Sequence, residues 1–340
     1  MTAKAPMLRA TRETIRYGFA SGKAKVLSQR VFGRSTFERL LDAPSFGEQV
    51  RVLSDTPYGR HLEGVDTAEG VERAMIEALD GFYGFLAEAA LPEPVVRFFR
   101  VRHDFGAMRA AWKARAVGAA YEPPPHSLGT VDAAVFSAPP QDWPEPFASV
   151  AAEAARAAEA DAGALDARAI DAAVDRALFA EMAECARASR SEFLSGLVAH
   201  LADLANARAL VRSRAAGRAA AEVEAGLVPG GAARASALME WYALPAADLA
   251  ARLAASPSLA GVSAADLLDP ARMDVAGDDA VARHLRRAHA VPVGAEPVIA
   301  YVLTREAEVA AVRTMLLGRL AGLNADVLRA RLRETQGAAR

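Results

Sequence analysis

The sequence predicts an all-α protein, and three observations support this fold class: the amino-acid composition, recurrent helix-start signals, and a helix-ending pattern that occurs three times. The composition is 52% hydrophobic but only 6% aromatic. Ala, Leu, Arg and Glu dominate and favour helix, whereas few stretches resemble the β-branched and aromatic runs that build strands. At 340 residues, the chain is long enough to bury a sizeable core in two or three domains.

The charge balance and the single cysteine limit the possible classes of function. The formal net charge is -2, so no overall basic field attracts the protein to nucleic acid, and we expect no nucleic-acid partner. The single Cys185 cannot form an intramolecular disulfide, which fits a reducing cytoplasm. The N-terminal residues lack the apolar core of a signal peptide. No apolar segment approaches the roughly 20 residues that span a bilayer, so we expect a cytoplasmic protein without a membrane span.

Helix starts and breaks can be placed from short local signals. In a capping signal, a Ser or Asp side chain is followed three residues later by Glu, ahead of an apolar helical pattern. We expect helices to begin at Ser35, Ser45, Asp66 and Ser189. Proline lacks the amide hydrogen that a helix interior requires, so proline-rich segments are predicted to be connections. These segments are 122–126, 138–146 and 227–231.

The helix-ending pattern is the most informative feature. In each copy an acidic residue is followed five positions later by Arg, a second Arg comes six positions further on, and Gly follows three positions after that. The copies are Asp104, Arg109, Arg115 and Gly118; Asp203, Arg208, Arg214 and Gly217; and Glu308, Arg313, Arg319 and Gly322. One amphipathic helix cannot bury its own apolar face, so the pattern predicts three related helical units.

An apolar stripe at three-and-four spacing runs between these markers, which is one face of a helix. The stripes are Phe105, Met108, Trp112 and Ala116; Leu204, Ala207, Val211 and Ala215; and Val309, Val312, Leu316 and Leu320. The Gly is well placed as the left-handed residue that ends a helix, and the second Arg lies where the dipole of the last turn favours a cation. A weaker similarity follows two of the copies, where a further glycine occurs: Gly129 after the first and Gly231 after the second.

The acidic residue and the first Arg of each copy lie about 140° apart around an ideal helix. They are therefore poorly placed to pair with each other, and we expect them to reach neighbouring helices. On this basis the candidate interface or inter-repeat contacts are Asp104, Arg109, Asp203, Arg208, Glu308 and Arg313.

No motif predicts a catalytic, cofactor or metal site. His284 and His289 are five positions apart, not the three or four that would place two imidazoles over one ion. The stretch from Gly18 to Ala24 resembles a phosphate-binding loop, but its glycines are too close and Ala24 replaces the hydroxyl that would hold magnesium. Cys185 has no local partner that would activate it, and we interpret it as a buried structural thiol. The sequence predicts a non-enzymatic protein, without a cofactor, that works through its surfaces.

Several short motifs follow one another in an order typical of one family. They are Tyr17-Gly-Phe-Ala-Ser-Gly-Lys-Ala-Lys25, Leu40-Leu41-Asp42-Ala43, Thr56-Pro57-Tyr58-Gly59, Phe98-Phe99, Val228-Pro-Gly-Gly231, Pro297-Val-Ile-Ala-Tyr301 and the final 323–329. In this order, and with the threefold repeat, they resemble the C-type subunit of the V/A-type ATPases, which is called the d-type subunit in the vacuolar enzyme. Pro57 and the Ala- and Pro-rich stretch between Pro123 and Asp166 depart from the family pattern.

The resemblance implies three similar helical domains around a pseudo-threefold axis, forming a funnel. With the repeat, it predicts domains at 1–118, 119–217 and 218–340. It also implies a non-catalytic central-stalk subunit, a socket that couples a rotor shaft of D- and F-type subunits to the membrane proteolipid ring in ATP-linked proton or sodium transport. The protein would be peripheral to the membrane through the ring.

Two questions remain open at this stage. The three first arginines, Arg109, Arg208 and Arg313, contact either the shaft or a neighbouring unit, or else they form bonds between helices within the fold. The chain itself could instead be a generic helical-repeat adaptor unrelated to rotary ATPases, or an all-helical enzyme, although the missing catalytic motifs disfavour the enzyme.

Overall fold

The computed structural model describes residues 17–89, 91–124, 128–160 and 167–329, so the predicted connection 122–126 lies partly outside the described residues. Every regular element within these ranges is a helix, which confirms the all-α fold class. The α-helices are α1 (17–28), α2 (Arg34–Asp42), α3 (Phe46–Leu53), α4 (Gly59–Leu62), α5 (Ala68–Glu88), α6 (Glu93–Ala116), α7 (Phe147–Ala160), α8 (Ala167–Ser189), α9 (Glu192–Ala215), α10 (Ala220–Ala225), α11 (Ala235–Tyr242), α12 (Ala246–Ala254), α13 (Ala264–Leu267), α14 (Pro270–Arg286), α15 (Ala295–Leu320) and α16 (Ala325–Arg329). Short 3₁₀ helices cover Ala133–Ser137, Pro140–Asp142, Pro257–Leu259 and Arg287–Ala290.

The chain forms two compact units, one from residues 1–91 and 282–340 and the other from residues 92–281. The copies of the repeat lie on α6 and α9 in the second unit and on α15 in the first. The predicted three-domain boundaries remain a prediction.

Each repeat helix buries its apolar stripe in a hydrophobic core of its own. The buried stripe residues are Phe105, Met108 and Trp112 on α6; Leu204, Ala207 and Val211 on α9; and Val309, Val312 and Leu316 on α15. We call these clusters the α6 core, the α9 core and the α15 core. The fourth residue of the stripe is exposed at Ala116 and Ala215 and half-buried at Leu320, because the helix is ending there.

The proline-rich segment 138–146, predicted as a connection, also supplies part of the α6 core. The Trp143 ring packs edge-to-face on Phe136, with 5.4 Å between ring centres, and on Trp112 at 6.1 Å. Its indole N–H donates to the carbonyl oxygen of Ala138 at 2.8 Å. Burying one large aromatic side chain stabilises a fold by about 2 kcal/mol. The segment is therefore a packed wall of the core as well as a link between helices.

Of the four predicted helix starts, one is confirmed and three are displaced. Ser45 caps α3, where its hydroxyl accepts a hydrogen bond from the N–H of Glu48 at 3.3 Å. The caps found near the other three positions are Thr67 instead of Asp66, Ser191 instead of Ser189, and Gly33 instead of Ser35. At Thr67 and Ser191, closely spaced polar residues compete for the cap, whereas at Gly33 no side chain caps the helix.

All three repeat helices end as predicted, on a glycine in the left-handed region. The φ angles of Gly118, Gly217 and Gly322 are 70°, 64° and 75°. In each copy the glycine N–H donates to the carbonyl of the second arginine, and the next N–H reaches five residues back, which is the Schellman arrangement. The latter bonds are Ala119 to Ala114 at 2.8 Å, Arg218 to Ser213 at 3.0 Å and Leu323 to Gly318 at 2.8 Å.

We predict opposite effects for two Gly-to-Ala substitutions in the α6 region. Gly118→Ala should lower the free energy of unfolding by about 1 kcal/mol, because a Cβ is strained at positive φ. Gly106→Ala is the matched control, since Gly106 is exposed inside α6 and a Cβ there would meet nothing within 4 Å. It should raise the free energy of unfolding by about 1 kcal/mol. Denaturant unfolding measures both, and stabilisation by both would contradict the prediction.

Candidate functional site

Each repeat helix carries its acidic residue and its second arginine on one face and its first arginine on another. On an ideal helix, residues eleven positions apart complete three turns plus about 20° and lie about 16 Å apart along the axis. Residues five positions apart differ by about 140°. The acid and the second arginine should therefore meet one neighbour, while the first arginine meets another. All three copies have this arrangement.

Asp104 on α6 is buried and holds the loop that leads into the 3₁₀ helix Ala133–Ser137. Its carboxylate accepts hydrogen bonds from the N–H of Thr130 at 2.9 Å, from the Thr130 hydroxyl at 2.6 Å and from the N–H of Val131 at 3.2 Å. Burial raises the pKa of Asp104, and the bonds from Thr130 and Val131 oppose that rise. The carboxylate thus accepts hydrogen bonds from N–H groups of the loop, which no helical hydrogen bond engages.

Asp203 has the same function on α9, where it holds the loop that leads into α11. Its carboxylate accepts from the N–H of Ala232 at 3.1 Å and from the N–H of Ala233 at 3.4 Å. The hydroxyl of Ser258, in the 3₁₀ helix Pro257–Leu259, donates to the same carboxylate. Asp203 is 3% exposed, so these donors replace the water that would otherwise solvate it.

The additional glycine that follows two of the copies is explained by how closely the loop backbone approaches the carboxylate. A Cβ on Gly129 would lie 1.8 Å from a carboxylate oxygen of Asp104, and a Cβ on Gly231 would lie 2.1 Å from one of Asp203. A side chain at either position would therefore push the carboxylate away from its N–H donors. In the third copy the residue before the bound N–H of Phe32 is Val31, and there the acid is a glutamate, which is one methylene longer than aspartate.

The third acid, Glu308 on α15, is fully buried in a cluster of polar groups. It accepts hydrogen bonds from the N–H of Phe32, from the hydroxyl of Tyr58 at 2.7 Å and from Arg305. Burial and the adjacent Glu308 carboxylate raise the pKa of Tyr58 well above its ordinary value, so its hydroxyl stays a donor. The Arg305 guanidinium lies 4.7 Å from the ring centre of Phe82. Glu308 thereby fixes the segment that leads into α2.

The second arginine of each copy donates to carbonyl oxygens at the end of the same short helix that the acid holds at its start. Arg115 donates to Ser137 at 3.3 Å and Ala138 at 3.0 Å, Arg214 donates to Tyr242, and Arg319 donates to Leu41 at 2.8 Å. We call the acid and the second arginine together the clamp. The sequence assigned the second arginine only to the dipole of its own helix, so this function was missed.

The first arginine of each copy pairs with acids on the long helix across its core. Arg109 contacts Asp171 and Asp175 on α8, Arg208 contacts Asp274 and Asp278 on α14, and Arg313 contacts Glu72 on α5. The three arginine side chains are 32%, 28% and 47% exposed, respectively. Partly exposed ion pairs contribute at most about 1 kcal/mol each. Their geometry ties helices together, and they leave part of each charge facing solvent.

The described ranges offer little for other chemistry. They hold no group of three or more His, Cys, Asp or Glu side chains placed to bind a metal ion, and none of their helices combines the length and apolarity of a membrane span. The stretch from Gly18 to Ala24 lies within α1 instead of forming a loop. Cys185 is 2% exposed, and burial raises its pKa to about 12, so the thiol stays protonated at neutral pH.

Comparison with protein families shows a match over most of the chain. The family model of the ATP synthase (C/AC39) subunit matches residues 20–331, a range that contains all three clamps and the helices they hold. No curated protein matches the chain.

We predict that two glutamates, each paired with an arginine in the same unit, differ sharply in how much they contribute to the free energy of unfolding. Glu308→Gln should lower the free energy of unfolding by about 3–5 kcal/mol, because it leaves Arg305 buried without its counter-charge. The control Glu72→Gln breaks the half-exposed pair with Arg313 and should cost less than about 1 kcal/mol. Urea unfolding followed by circular dichroism gives both values, and equal losses would disprove the distinction.

Proposed function

The chain belongs to the ATP synthase (C/AC39) subunit family, which comprises the C- and d-type subunits of V/A-type ATPases, and from this premise we propose that it is a non-catalytic central-stalk subunit of a rotary V/A-type ATPase. In this role it is a socket that couples the rotor shaft of D- and F-type subunits to the membrane proteolipid ring. Ion transport, of protons or sodium, is thereby linked to ATP synthesis or hydrolysis. The protein is cytoplasmic and peripheral to the membrane through the ring.

The observation that carries this proposal is the extent of the family match. The match runs over residues 20–331 and therefore includes every copy of the repeat, from the first clamp residue in α6 to the terminal glycine after α15. A match confined to one copy would support only a shared helical unit. This match instead supports a common function for the whole arrangement of three cores.

The clamps give physical support to a mechanical function. A protein that transmits torque must resist sliding and rotation of one helix against the next. In each core, the short helix is held at both ends by charge-assisted hydrogen bonds, and such bonds contribute about 1.5–3 kcal/mol each. The repeat helix is also tied to a second long helix through its first arginine. Each core thus has two independent sets of contacts that keep its helices in register.

The partly exposed arginines are the candidate contacts with the shaft or with a neighbouring unit. Arg109, Arg208 and Arg313 keep 32%, 28% and 47% of their side chains exposed while paired with acids in the fold. A guanidinium has five donors in a planar fork, so it can retain one carboxylate and still bind another. Such contacts would fix the register of a partner more than they would add affinity.

We predict that the tagged chain, expressed in its host and extracted from membranes in mild detergent, co-purifies with the shaft proteins and the proteolipid. Mass spectrometry of the eluate identifies them, and an untagged strain treated in parallel is the control. If the tagged chain is abundant and folded but elutes without either partner, the stalk function is refuted and the adaptor alternative is favoured.

A charge swap tests the candidate function of Arg313 separately. Arg313→Glu alone should weaken both the fold and the binding of a purified D/F-type shaft complex. The double variant with Glu72→Arg restores an ion pair between α15 and α5 but exchanges the positions of its positive and negative charges, both of which are partly exposed. We expect it to regain the free energy of unfolding, yet to bind the shaft about tenfold more weakly, the loss of one charge-assisted contact.

The matched swap at Arg51 and Glu48, an exposed pair on α3, should leave shaft binding unchanged. If the Arg313 swap restores binding along with stability, Arg313 acts only within the fold, and the shaft-contact part of the proposal fails while the stalk function stands.

A further inference from the structure

A cavity of about 300 Å³ lies among α1, the end of α14 with the 3₁₀ turn that follows it, and α15. This volume is at the lower end of the range of about 300–1,000 Å³ that small-molecule sites occupy. Five of its lining residues are apolar, and we call them the apolar wall: Ala282, Leu285, Ala288, Pro297 and Ala300. All five are aliphatic or proline side chains, so they offer no hydrogen bond to a ligand.

The cavity is also lined by basic side chains, together with neutral polar ones. Lys25 on α1, Arg286 at the end of α14 and His289 on the 3₁₀ turn all line it, and none of the lining residues that the structure describes is Asp or Glu. The ammonium and guanidinium groups supply fixed positive charge and several N–H donors, and the imidazole adds another ring nitrogen. The described part of the lining therefore offers cations to a ligand and no carboxylate that would repel an anion.

We propose that this cavity binds a phosphate group carried on a short apolar chain. A guanidinium and an ammonium together match the charge and the multiple acceptor oxygens of a phosphate. The apolar wall favours the apolar chain of the ligand. When the chain covers the wall, apolar surface is removed from water, which stabilises the complex by about 25 cal/mol per Å².

Ligands with only one of these two parts fit the cavity less well. A free phosphate would leave the apolar wall in contact with water. A wholly apolar ligand would strip water from the Lys25 ammonium without replacing its hydrogen bonds, which is costly. No clamp residue and none of the first arginines lines the cavity, so this binding is independent of the proposed stalk function.

The test is calorimetric titration of the purified full chain with dihexanoyl phosphatidate below its critical micelle concentration and, separately, with sodium phosphate. We expect saturable one-to-one binding of the phosphatidate, and binding of phosphate at least about tenfold weaker, because each 1.4 kcal/mol of apolar burial corresponds to tenfold in affinity. Lys25→Glu should weaken phosphatidate binding by about tenfold or more.

The matched control is Arg287→Glu, which makes the same change in charge at an exposed residue on the same 3₁₀ turn that does not line the cavity. It should leave phosphatidate binding unchanged. A second variant, Thr304→Leu, fills the cavity from α15 without removing a cation, and it should weaken the phosphatidate but not phosphate. Unfolding curves establish that each variant is folded.

Three outcomes would overturn the proposal. The first is the lack of saturable phosphatidate binding by the folded parent chain. The second is equal weakening by Lys25→Glu and Arg287→Glu, which would indicate attraction to diffuse charge. The third is phosphate binding as tight as phosphatidate binding, which would mean that the apolar wall makes no contribution.

Discussion

A carboxylate and an arginine, eleven positions apart on one long helix, hold the beginning and the end of a shorter helix, and each core is arranged around this contact. The constraint is the solvation of a buried charge. A carboxylate removed from water is costly unless donors surround it, and here the donors are loop amides. The loop must close onto the carboxylate for the core to form, so the position of the short helix follows from where the acid lies.

The helical period separates this contact from the second one. Because five residues turn the helix by about 140° and eleven bring it nearly back to its starting face, one helix can hold a short neighbour with two charges and a long neighbour with a third. The two sets of bonds do not share a side chain. Removing one set by substitution therefore removes no bond of the other.

Most features that depend on neighbouring residues in the sequence could be predicted, although three of the four helix starts are displaced. Features that depend on distant residues could not. The helical class, the buried stripes and the terminal glycines such as Gly118 all follow from local rules. The N–H groups that the acids bind lie 26 residues away in the first copy and 29 in the second. A periodic pattern in the sequence does not indicate which distant loop will fold back onto the acid. Gly129 and Gly231 were the available signal, since a glycine in a loop can mark the close approach of a side chain.

The clamp on α15 has a consequence for synthesis of the chain, because it joins Phe32 to Glu308, 276 residues further along. A ribosome adds about 5–20 residues per second, so α2 to α5 are made on the order of tens of seconds before the helix that completes their core. Apolar residues such as Phe37 and Leu40 lack that partner throughout this interval. The nascent chain is therefore most exposed to aggregation and to capture by chaperones in its earliest-made helices, until translation has passed α15.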